Sequence, residues 1–143
     1  MKYQDYIETF TTAYFEALLW AEHDIDDKDN DLLDDRYGIE DIDQQSRDEA
    51  RAECDLFLAI SGEYIEAATL HGEYADRSGQ GLHMREAIEI AGHDFLLTRN
   101  GHGVGFWDRG LGAIGDNLSA IAESFGSVYI FSNGTNTFYI EKG

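Results

Sequence analysis

Apolar residues open the chain at three- and four-residue spacing: Tyr3, Ile7, Phe10, Tyr14, Leu18 and Ala21, with Tyr6, Phe15 and Leu19 widening the stripe. At 3.6 residues per turn they share one face, which predicts a helix over about 3–23. A second helix is expected to start at Ser46, with Glu49 three residues on completing a capping box. Ala50, Cys54, Phe57, Leu58, Ser61, Tyr64, Ile65 and Ala68 continue its stripe, and Gly72 offers a left-handed stop. Gly62 costs such a helix about 1 kcal/mol relative to Ala, enough to bend or break it there. Leu82, Ala87, Ile88 and Ala91 give a shorter helix over about 82–91, stopped at Gly92 and reached through a loop over 72–81.

The pattern changes at His93. The runs 94–99 and 104–108 read as two strands around Asn100-Gly101, a pair suited to the positive φ values of a tight hairpin. Pairing of 99 with 104 would set Phe95 opposite Asp108. Ile114, Leu118, Ile121, Ala122 and Phe125 mark an amphipathic helix over about 112–125, ended by Gly126. Residues 127–131 and 137–141 form a second β pair around Asn133-Gly134. The expectation is an α+β fold in a single domain over 1–143, with N-terminal acidic helices packed on a small antiparallel sheet of ββαββ order.

Charge divides the chain along the same line. Of 143 residues, 29 are Asp or Glu and 10 are Lys or Arg, a net charge of −19. Residues 1–92 hold 24 acids and 7 bases, net −17, whereas 93–143 hold 5 acids and 3 bases, net −2, together with most of the glycines from Gly92 onward. This balance disfavours direct contact with nucleic acid or an anionic membrane, since each phosphate contact needs a cation. The sequence shows neither a signal-peptide pattern at Met1–Phe10 nor an apolar run long enough to span a bilayer. A single cysteine, Cys54, allows no internal disulfide and reads as a core side chain in a reduced cytosolic chain.

The densest acidic run comprises Asp24, Asp26, Asp27, Asp29, Asp31, Asp34, Asp35, Glu40, Asp41 and Asp43, and Asp48 and Glu49 follow at the start of the second helix. Asp27, Asp29 and Asp31 match the first places of an EF-hand loop, but Leu32 stands where that loop needs Gly and Gly38 where it needs Glu. Carboxylates repeated at helical spacing can instead occupy a basic groove made for nucleic acid. Glu53, Asp55, Glu63, Glu66 and Glu73 continue the series, and Glu8, Glu16 and Glu22 lie on the first helix. A solvated acidic face that only confers solubility is the other reading, although solubility alone needs a net charge of magnitude about 2–8 in a small domain and −19 exceeds it. Halophilic adaptation would acidify both halves, and the second half is nearly neutral.

The Gly-rich segment 91–112 carries the other candidate chemistry. His93, Asp94, His102 and Asp108 supply metal-ligating types, although a hairpin sets His102 at the end remote from the others. The alternative is structural: Asp94 or Asp108 paired with Arg99 or Arg109, and Asn100–Gly103 as turn residues. The wording of this segment, His93-Asp94-Phe95-Leu96-Leu97-Thr98-Arg99-Asn100-Gly101-His102-Gly103-Val104-Gly105-Phe106-Trp107-Asp108-Arg109, resembles a recurrent stretch in a family of small, mostly uncharacterised proteins of tailed bacteriophages. The likeness covers about residues 91–140; Leu96 stands where that family usually has an aromatic. It implies a phage protein acting in the host cytoplasm and brings no catalytic residue and no cofactor. The expected function is therefore an acidic inhibitor that mimics nucleic acid and blocks a basic host DNA- or RNA-binding protein in counter-defence, such as anti-restriction or anti-CRISPR, with Asp24–Glu49 as its contact. A metal-dependent enzyme using the His/Asp hairpin, and a phage assembly accessory protein forming a homodimer or larger homo-oligomer, are the alternatives.

Overall fold

A computed structural model describes residues 2–21, 37–70, 74, 81–102, 105–106 and 109–143. After a 3-10 turn at Tyr3–Asp5, helix α1 spans Ile7–Ala21 and follows the predicted stripe. Helix α2 runs unbroken over Gln44–Leu70, α3 over Met84–Arg99 and α4 over Ala113–Ser124. Strands β1 (Val128–Ser132) and β2 (Phe138–Lys142) pair antiparallel, with Ile130 opposite Ile140. The architecture is thus α+β, with four helices and one two-stranded sheet among the described residues.

The ββαββ order is not what forms, because residues 94–99 are the second half of α3. Two features of α3 explain the difference. Its residues from Asp94 to Arg99 are all buried, so the helix has no solvent face there and loses the period by which amphipathic helices are read. Gly92 is an interior residue rather than a stop: a Cβ at this position would lie 2.4 Å from the Phe10 carbonyl oxygen and 2.9 Å from the Ala13 Cβ. Its missing side chain lets α3 close onto α1. The stop comes at Gly101, whose φ of 72° gives the left-handed conformation. There Gly101 N–H donates to the Thr98 carbonyl at 3.1 Å and His102 N–H to the Leu97 carbonyl at 2.9 Å, a Schellman ending rather than a hairpin turn.

The start of α2 also differs from the expected capping box. Asp43 is the cap: its carboxylate accepts from Ser46 N–H at 2.8 Å. The Ser46 hydroxyl is buried and accepts instead from Ile140 N–H at 2.9 Å. Asp43 N–H donates to the Phe138 carbonyl at 2.7 Å, and Ile42 bridges Phe138 in parallel. The final hairpin is therefore pinned to the entry of α2. At Gly62 the helix is continuous, since this residue is buried against the fold and packing outweighs its poor propensity.

The core is aromatic. Phe57 of α2 and Phe95 of α3 stack at 4.2 Å between ring centroids, with Phe10, Phe106 and Phe125 around them. Cys54 is buried in the same cluster, as expected of a core side chain. The expected loop over 72–81 falls largely outside the described residues; Tyr74, within it, is fully buried and takes a backbone bond from its N–H to the Ala68 carbonyl.

Candidate functional site

The structure distributes the acidic candidates among different roles. Asp24, Asp26, Asp27, Asp29, Asp31, Asp34 and Asp35 lie outside the described residues. Glu40 is exposed. Asp41 accepts from Gly38 N–H at 2.8 Å and Asp43 caps α2, so these two carboxylates are spent on backbone donors. Asp48 and Glu49 stand on the outward face of α2, where Gln44 and Gln45 donate to them from one turn earlier. Glu53 turns inward and holds both Arg99 and, at 3.0 Å, Lys142.

Asp55 and Glu63 are exposed and extend the outward acidic face. Asp48 and Asp55, seven residues apart, share one edge of the helix, with Glu63 turned toward its centre. Arg51, an exposed base on this helix, is held by Glu8 of α1. Interleaved with the acids are apolar side chains in water: Leu56 is 53% exposed, Ile60 50% and Tyr64 37%. Tyr64 thus belongs to the outer face and not to the core stripe in which its spacing had placed it. Sequence reading missed this ridge, although its signal is present as a four-residue repeat, 56, 60 and 64, beside the core stripe.

The Gly-rich segment resolves into two structural clusters. Asp94 is fully buried and receives Tyr74 O–H at 2.9 Å and the Arg109 guanidinium at two points, 2.5 Å and 2.9 Å. This is one of the ion pairs expected as the structural alternative. Burial, and the Asp94 charge after it, push the Tyr74 phenol well above its ordinary range, so the ring stays a hydrogen-bond donor. His93, next in sequence to Asp94, stands 4.0 Å from a Glu16 oxygen, beyond hydrogen-bond reach. His102 is placed by the helix ending described above, and Asp108 lies outside the described residues. Among the described residues no group of three or more His, Cys, Asp or Glu side chains converges to hold a metal.

Arg99 makes the second cluster. Its side chain is fully buried; it donates to the Gly126 and Phe125 carbonyls at 2.7 Å and 2.9 Å and to both Glu53 oxygens. It also lies over the Phe95 and Phe125 rings. A cation on the last carbonyls of α4 satisfies acceptors that the helix leaves open and opposes its dipole. The adjacent Asn100 side chain bonds both the N–H and the carbonyl of Val128, at 2.8 Å and 3.1 Å, as a neighbouring strand would. Arg99 and Asn100 therefore join α3 to the α4–β1 corner.

An open cavity of about 760 Å³ lies beside the exposed Trp20, walled by Glu16, Tyr37, Glu40, His93 and Leu97. Arg109 reaches its edge but is engaged by Asp94. Cys54 is buried, and that burial pushes its thiol far above its ordinary range. No helix among the described residues is long and apolar enough to cross a membrane. Comparison with protein-family models, curated proteins and solved structures found no match to this chain.

Proposed function

We propose that the protein is a non-enzymatic acidic inhibitor that occupies the basic, nucleic-acid-binding surface of a host protein. The observation that carries this reading is the outward face of α2, on which Asp48, Glu49, Asp55 and Glu63 stand exposed along a rigid helix while Arg51 is neutralised by Glu8. The concentration of net −17 in residues 1–92 supports it, as does the resemblance to tailed-phage proteins, which implies a host cytoplasm as the setting.

Magnitudes decide how such mimicry would work. α2 has 27 residues, roughly 40 Å, and six acids, about one per 7 Å, against one charge per ~1.7 Å of duplex axis. This helix is too sparse to copy phosphates one by one. It acts through summed attraction and counterion release, to which the acids from Asp24 to Asp35 add by their number.

The test is capture of basic nucleic-acid-binding proteins from bacterial lysate on the immobilised protein, eluted with a salt gradient and followed by displacement of labelled duplex from each captured protein. Changing Asp48, Glu49, Asp55 and Glu63 to Asn or Gln should move elution to markedly lower salt and reduce displacement. A second set of changes at Asp27, Asp29, Asp31, Asp34 and Asp35 should add to the effect. Capture and displacement that survive both sets unchanged would refute the proposal.

A further inference from the structure

Helix α2 has two apolar faces, and the fold uses one. The inner face, with Cys54, Phe57, Leu58, Ile65 and Ala68, is buried and holds the helix rigid. The outer face carries Leu56, Ile60 and Tyr64 one turn apart, each more than a third exposed, with the small exposed residues Ala52 and Ala59 beside them. Large apolar side chains at i, i+4 and i+8 form a ridge of two turns, the pattern by which amphipathic helices engage one another. A single exposed Leu needs no explanation; three in register on one preformed helix do.

Charge around the ridge selects its occupant. Glu63 is exposed one turn from Ile60, and Asp55 is exposed on the same side of the ridge, across the small residues Ala52 and Ala59. A second copy of the chain would bring these carboxylates against their own equivalents, each chain carrying −19, which like-charge repulsion opposes. An anionic lipid surface is repelled for the same reason. A helix with an apolar stripe flanked by Lys and Arg satisfies both parts of the surface.

We propose that the outer face of α2 docks a cationic amphipathic helix of a partner protein, Leu56, Ile60 and Tyr64 meeting its apolar stripe and Asp55 and Glu63 the basic residues along one side of that stripe. The proposal rests on the basic-partner reading above and sharpens it: the partner presents a helix, and apolar contact supplies the specificity that steering alone does not.

Two labelled peptides test it by fluorescence anisotropy at low and high salt. One is a Leu/Lys peptide about five helical turns long with its Leu residues on one face; the other has the same composition with the Leu residues scattered. The wild-type chain should bind the patterned peptide about tenfold more tightly than the scattered one. The double change Leu56→Ser, Ile60→Ser should abolish that preference while leaving the salt dependence and the circular dichroism intact. Asp55→Asn with Glu63→Gln should flatten the salt dependence for both peptides and keep the preference. Equal binding of the two peptides by the wild-type chain, or a preference that survives the Ser changes, overturns the docking proposal alone. A concentration-dependent dimer in sedimentation equilibrium that the Ser changes abolish also overturns it, in favour of a second copy. Absence of binding by either cationic peptide at low salt defeats the basic-partner reading as well.

Discussion

At the scale of single residues, several side chains act against their usual tendencies because of what lies next to them. Gly92 is the sharpest case. In a helix interior an Ala in place of Gly ordinarily gains about 1 kcal/mol. Here the new methyl would meet the Phe10 carbonyl at 2.4 Å, backbone that cannot yield without parting α1 from α3. Overpacking of this kind costs about 1–3 kcal/mol, so it outweighs the propensity gain. Gly92→Ala should therefore lower the urea midpoint, with an unchanged slope; a raised midpoint would show that the two helices stand further apart. Arg99 is equally unusual, a guanidinium without exposure that is accommodated because two carbonyls and a carboxylate surround it.

At the scale of elements, what the sequence displayed depended on whether an element keeps a wet face. α1, α4 and the β1–β2 hairpin do, and their spacing placed them within a few residues. α2 was also legible, apart from its cap: Ser46 and Asp43 are both good N-cap types, and only the hairpin's claim on the Ser46 hydroxyl decides between them. Asp43→Ala should accordingly destabilise the fold by about 1 kcal/mol in urea unfolding, because α2 loses the acceptor for Ser46 N–H. Glu49→Ala, which would remove the reciprocal acceptor of a capping box, should leave the midpoint nearly unchanged. α3 defeated the reading because its C-terminal half is surrounded, so Phe95-Leu96-Leu97 looks like a buried strand. The acidic character of the candidate surface was plain from composition, but the division of carboxylates into caps, a buried pair and an outward face depends on contacts between distant segments, such as Asp94 with Tyr74 and Arg109.

At the scale of the whole molecule, the response to pH is set by protons the core retains. Burial is the largest influence on Cys54, Tyr14 and Tyr74 and raises all three well above their ordinary values of 9.0 for the thiol and 10.0 for the phenols. In the unfolded chain these groups lose protons from about pH 9 upward, while the folded chain holds them. The unfolded state then binds fewer protons, and stability falls as pH rises. Urea midpoints should decline as pH rises above about 9, and Tyr14→Phe with Cys54→Ala should make that decline shallower. The clasp between the hairpin and the entry of α2 has a further consequence, in the order of synthesis. Ser46 and Ile140, which bond one another, are 94 residues apart in sequence. Residues 42–46 thus leave the ribosome long before the strand that seats them exists, and Ser46 waits in water until β2 arrives. The helices can be made in sequence; the seam that fixes where α2 begins is sewn last.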